Sequence, residues 1–258
     1  MTKKFLSVVL LALAIRLIIV YFQYSGDVGN HLVWGQSVLS SGTFGFYGRH
    51  FSGFNDANYP PVAILLFALF RFLYLAANNS FLWLNSNLKF FPSSLVPVFA
   101  TLNMQAAFLK LPAILADLGT GILLYQIFVK KRNALLISAL YLLNPAVIYV
   151  SAVWGQIETI PVFFLLLAFF MAKKNYLASH AAFILAVLTK QTALWVLPIF
   201  LIIWIKQGNI KNLLRGLTLQ VVLFFLFYLP FTLPSAALTS FLSTLSGSST
   251  LVSDQALN

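Results

Sequence analysis

The chain contains no cysteine, which excludes disulfides and thiolate metal sites and leaves the redox compartment unmarked. It is also short of charge. Only 8% of its 258 residues are Asp, Glu, Lys or Arg, against about 25% in an ordinary soluble domain, while 60% are hydrophobic. So few charges cannot cover a water-soluble globule of this size. Missing too are the segments of about ten residues with alternating polarity that mark a membrane β-barrel; runs such as 162–172 are apolar on every face. What remains is an all-α polytopic transmembrane helical bundle, since apolar runs of about 18 to 30 residues suffice to cross a hydrocarbon core of about 30 Å.

Acids are the scarcest charges: Asp27, Asp56, Asp117, Glu158 and Asp254 make 5, against 16 Lys and Arg, for a net charge of +11. In a soluble protein that excess would suggest nucleic acid. Here the basic residues sit between apolar runs, where they set orientation and imply no nucleic-acid partner. Lys3 with Lys4, Lys130 to Arg132, Lys173 with Lys174, and Lys206 with Lys211 and Arg215 are assigned to the cytoplasm. Residues 5–22 read as a retained first span rather than a signal peptide, because they include Arg16 and lack a small-residue cleavage site.

Parity then orders the chain. Spans are expected at 5–22, 101–129, 133–151 and 157–172, at two short arms within 176–205 that turn near Thr189 to Thr192 inside the membrane, and at 216–233. That gives about seven spans in one module covering 1–258, with a first outer loop 23–100 and a Ser/Thr-rich outer tail 234–258. The apolar stretch 60–77 cannot cross alone, so it is expected as an interfacial or re-entrant helix in the first outer loop; the alternative pairs it with 81–100 as two crossings.

Ionisable groups in or beside a membrane are functional candidates by default. Asp27 follows the outer end of the first span, Glu158 begins the fourth, and Lys190 lies 16 residues beyond Lys174, about 24 Å along a helix. All three are expected at the outer leaflet, where a lipid head group lies. Simpler readings stand beside these. Asp27 with His31 four residues later also suits the start of an interfacial helix, Glu158 suits a helix N-terminus, and Trp154 suits an aromatic belt. Lys110 and Asp117, on one helix face, are placed to neutralise each other; Tyr59-Pro60-Pro61 suits a helix start; Arg16 and Arg71 suit snorkelling.

Taken in order, Gly26-Asp27, Tyr59-Pro60-Pro61, Lys110-Leu111-Pro112 leading to Asp117, Asn144-Pro145, Trp154-Gly155-Gln156-x-Glu158 and Thr189-Lys190-Gln191 resemble the membrane glycosyltransferases of the GT-C superfamily, nearest to mannosyltransferase-like members. The resemblance runs over nearly the entire chain. It implies inverting transfer of a sugar, mannose in the nearest members, from a polyprenyl-phosphate donor to a hydroxyl of a glycan, lipid or protein acceptor. The active site would be extracytoplasmic, on a plasma membrane or, in a eukaryote, the endoplasmic reticulum.

By motif, Asp27 would be the catalytic base and Glu158 the second acid, orienting the acceptor or joining Asp27 around a divalent ion such as Mg or Mn. Lys190 and Gln191 would hold the lipid phosphate. Asp56, Tyr59, His31, Gln156 and Trp154 complete the implied substrate contacts. The resemblance also implies further C-terminal helices, and Asp254 to Asn258 is similar to a loop that precedes the next span in some relatives. Two other classes stay open: a lipid or glycolipid transporter, which would also have polar groups among helices and a broken hairpin at depth, and a nonenzymatic membrane scaffold subunit.

Overall fold

The computed structural model describes residues 2–250, and among them the chain is all-α, without strands. Helix α1 (Lys3–Ile19) starts where the Thr2 hydroxyl accepts the Phe5 N–H at 3.3 Å. It is followed by α2 (Gly26–Ser41), a short 3-10 turn (Phe46–Gly48), α3 (Pro61–Asn87) and α4 (Leu95–Phe99). Thr101 caps α5 (Leu102–Ile127) by accepting from the Met104 N–H at 3.2 Å. After α6 (Ala134–Leu142) the helix breaks: Asn144 is extended, as the residue before a proline must be, and its side chain caps α7 (Pro145–Ile148) through the Ala146 N–H at 2.9 Å. A π-helical turn (Tyr149–Trp154) continues α7, and the pair bends by 45° from α6.

The second half holds α8 (Thr159–Met171), α9 (Tyr176–Thr189), a 3-10 turn (Gln191–Val196), α10 (Leu197–Gln207), α11 (Ile210–Tyr228) and α12 (Pro234–Thr250). Asn175 and Asn209 cap α9 and α11 through backbone N–H groups three residues on. The expected turn at Thr189 to Thr192 is therefore present as a helix break after Thr189.

Among the described residues three helices are long and apolar enough to cross a membrane, α3, α5 and α11, or four if α6 and the bent α7 segment count as one span. One expectation is corrected. No break follows residue 77, because Asn78, Asn79 and Ser80 remain within α3, whose 27 residues measure about 40 Å. The segment 23–100 is mostly helical, and so is 234–250. Asp254 to Asn258 lie outside the described residues.

Contacts divide the chain into two units. The first comprises Met1–Ser40 and Leu65–Phe163. In it α5 packs against α1, α6 and the π turn, with Ser138 Oγ donating to Gly121 O at 2.7 Å and Thr159 Oγ1 to Ala113 O at 3.0 Å. The second comprises Ser41–Ile64 and Phe164–Asn258. There α9 lies against α11, where Gly216 leaves room for the His180 ring, and that ring stacks on Trp204 at 3.7 Å between centroids.

Candidate active site

In the first unit Asp27 occupies the first turn of α2, where the helix dipole favours a carboxylate. Ser25 caps this helix, its Oγ accepting the Val28 N–H at 3.3 Å and donating to Trp154 O at 2.6 Å. The start of α2 is thus fastened to the end of the π turn. Two side chains from that segment then reach the carboxylate: Trp154 Nε1–H donates to Asp27 Oδ2 at 2.8 Å, and Gln156 Nε2–H donates to the same oxygen at 2.5 Å. Among the described residues no protein donor reaches Oδ1. One oxygen is held, and the other is open.

Gly155 makes this arrangement geometrically possible. Its φ is +82°, a left-handed conformation that lets the N–H groups of both Gly155 and Gln156 donate to Val150 O at 3.0 Å. A side chain there would collide with Val28 Cγ2 and come within 3.0 Å of the Lys110 stem.

Behind the site lie two buried cations. Lys110 does not pair with Asp117 as the sequence suggested. Its fully buried ammonium donates to Val20 O at 3.2 Å and Gln23 O at 2.6 Å, satisfying carbonyls at the C-terminal end of α1 and bracing the turn that leads to Asp27. Asp117 pairs instead with Arg16, which is wholly buried rather than snorkelling. Arg16 Nε and Nη2 donate to Asp117 Oδ2 at 3.3 and 3.2 Å, and Nη1 donates to Ala12 O and Leu142 O at 3.1 and 2.8 Å. Ser151 Oγ and Tyr141 OH donate to the same carboxylate at 2.6 and 3.1 Å. One ion pair therefore ties α1, α5, the end of α6 and the π turn together.

The other candidates of this unit sit near these elements. His31, one turn after Asp27, is 1% exposed and stacks on Phe67 at 4.1 Å between centroids, so it is enclosed by aromatic rings. Glu158 is half-buried just ahead of α8, two residues past Gln156.

In the second unit the structure brings together Lys190, Gln191 and Tyr59. Lys190 is extended at the break after α9, and its ammonium lies 5.3 Å from the Tyr59 ring centroid. Gln191 is buried and its Nε2 donates to Asn58 O at 3.1 Å and Thr244 O at 2.9 Å. Tyr47 OH donates to Tyr59 O at 3.0 Å, and burial, reinforced by nearby Tyr228, pushes the Tyr47 phenol well above its ordinary range, so it remains a donor. Asp56 belongs to a different constellation: its Oδ1 accepts from His50 Nδ1 at 3.0 Å and from the Phe51 N–H at 3.3 Å, closing its own exposed loop.

Among the described residues no three His, Asp or Glu groups cluster as ligands, and Asp27 Oδ2 already takes two N–H bonds. The sequence missed Ser25, Lys110 and Arg16 as members of the supporting structure. For Ser25 a signal existed, a serine directly before a helix start; for Arg16 the partner is 101 residues away and none did. Comparison with protein-family models, curated proteins and solved structures returns no match.

Proposed function

We propose that the chain is an integral-membrane, inverting glycosyltransferase that moves a sugar from a polyprenyl-phosphate donor to an acceptor hydroxyl on the extracytoplasmic face, with seven membrane passages in its working state. The observation that carries this reading is the Asp27 carboxylate, anchored through Oδ2 by Trp154 and Gln156 while Oδ1 is left open. A base needs this combination: a fixed orientation and one unengaged oxygen to receive the acceptor proton. As the hydroxyl oxygen bonds to the anomeric carbon and the bond to the phosphate oxygen breaks, the proton passes to Asp27 and the electron pair leaves on the phosphate. By the motif resemblance alone Lys190 is assigned the cation that holds that phosphate; within its own unit Tyr59 flanks the ammonium and Gln191 anchors the adjoining turn. Glu158 orients the acceptor.

The breaks after Leu142 and Thr189 favour a second reading, lipid transport, since interrupted helices are common in transporters. Incubating membranes that contain the protein with a labelled polyprenyl-phosphate sugar separates the two. Transfer of label to a new glycoside supports the enzyme; movement of intact donor between leaflets without a new glycoside supports the transporter.

A further inference from the structure

Arg71 lies within α3, one of the candidate spans, yet among the described residues no carboxylate pairs with it. Its environment differs sharply from that of Arg16. Nε donates to Gln36 Oε1 at 2.8 Å and Nη1 to Gln105 Oε1 at 2.6 Å, both neutral acceptors, and the guanidinium carbon stands 5.2 Å from the Tyr74 ring centroid. Two of its five N–H groups are thus engaged, and the side chain is half-buried, with Nη2 outside the bonded set. A full positive charge is held in position and left uncompensated.

The holding is built by the helix packing of the first unit. Gly35 brings α2 so close to α3 that a Cβ there would lie 2.7 Å from Phe67 O. Gln36, the next residue, thereby reaches Arg71, one turn beyond Phe67. Gln105 comes from the start of α5, three residues past Leu102, which places the guanidinium about 5 Å along that helix from its end. Along α3 itself Arg71 lies ten residues, about 15 Å, past Pro61.

We infer that Gln36, Arg71 and Gln105 form an anion site that binds a phosphate group, supplied by a phospholipid head group. Two glutamine oxygens fix the plane of the fork, and the N–H groups they leave unengaged would receive phosphate oxygens, a role that arginine suits better than lysine. The apolar surroundings favour a lipid over a free ion, because its acyl chains lie along α3, where Leu69, Phe72 and Leu73 are exposed. The inference is independent of the glycosyl-transfer reading and involves neither Asp27 nor Lys190.

The test is binding, read without any activity. The full chain, purified in detergent, is exposed to short-chain phosphatidylglycerol, to the matching diacylglycerol, and to inorganic phosphate, and bound ligand is measured by native mass spectrometry. Wild type should retain phosphatidylglycerol at least about tenfold more strongly than diacylglycerol, and Arg71→Gln should abolish that preference. Arg71→Lys should recover only part of it. Competition by inorganic phosphate at similar concentration assigns the site to phosphate in general; its failure to compete assigns the site to the lipid form. If Arg71→Gln does not fold, Gln36→Met with Gln105→Met, which frees the fork, should weaken the preference several-fold. Equal retention of phosphatidylglycerol and diacylglycerol by wild type overturns the site, as does an unchanged preference in Arg71→Gln.

Discussion

Replacing Asp117 by Asn keeps the size of the side chain and removes the charge that Arg16 requires. Both partners are fully buried, and Arg16 has no other carboxylate among the described residues. Breaking a buried pair from one side costs about 3–5 kcal/mol, because the remaining charge is left uncompensated. Arg16→Met should cost a similar amount, as Asp117 would keep only Ser151 and Tyr141. Replacing both, Arg16→Met with Asp117→Leu, leaves no isolated charge. It loses the acceptor of two hydroxyls, about 1 kcal/mol each, so the double variant should be less damaged than either single one. The coupling should be at least about 2 kcal/mol in favour of the double variant. The assay is reversible unfolding of the reconstituted protein in graded denaturant, followed by circular dichroism. Additive effects, within about 0.5 kcal/mol, would refute the assignment of Arg16 and Asp117 as one buried unit.

Three further outcomes are expected. Gly155→Ala forces a side chain into the left-handed region and against Val28, and should cost about 2–4 kcal/mol while lowering any activity that depends on Asp27, read by unfolding and turnover side by side. Lys190→Met should weaken donor binding as well as rate, since the phosphate is charged before and after transfer; normal donor affinity would return Lys190 to a structural role beside Tyr59. A cysteine introduced at Ser25 should react with an impermeant thiol reagent in intact cells, whereas one at Asn133 should react only after permeabilisation; the reverse pattern would break the proposed orientation.

The helical class was legible because continuous apolar runs leave no alternative that satisfies the backbone in a membrane. Two boundaries were legible for local reasons, Pro61 opening α3 and Lys190 following the end of α9, whereas the break at Asn144-Pro145 falls inside the expected span 133–151. Trp154 and Gln156 were named as substrate contacts; in the structure both donate to the Asp27 carboxylate, a role the sequence reading did not assign them. What failed needed tertiary information. The apolar stretch was bounded at residue 77, yet the helix runs on through Asn78, Asn79 and Ser80 to Asn87, since polar side chains with somewhere to point do not end a helix. Lys110 and Asp117 shared a helix face, but backbone carbonyls from the end of α1 claimed the lysine and a distant arginine claimed the acid. The π turn that aims Trp154 carries no periodicity by which to read it.

The most direct measurement is product formation by Asp27→Asn. Asparagine retains an oxygen for the Trp154 and Gln156 donors but cannot take the acceptor proton. With a polyprenyl-phosphate sugar and acceptor in reconstituted membranes, wild type should form a glycoside. Asp27→Asn should bind the donor normally and turn over at least about a hundredfold more slowly. Normal turnover by Asp27→Asn, or no glycoside from wild type with any polyprenyl-phosphate sugar, would contradict Asp27 as the base of a glycosyl transfer.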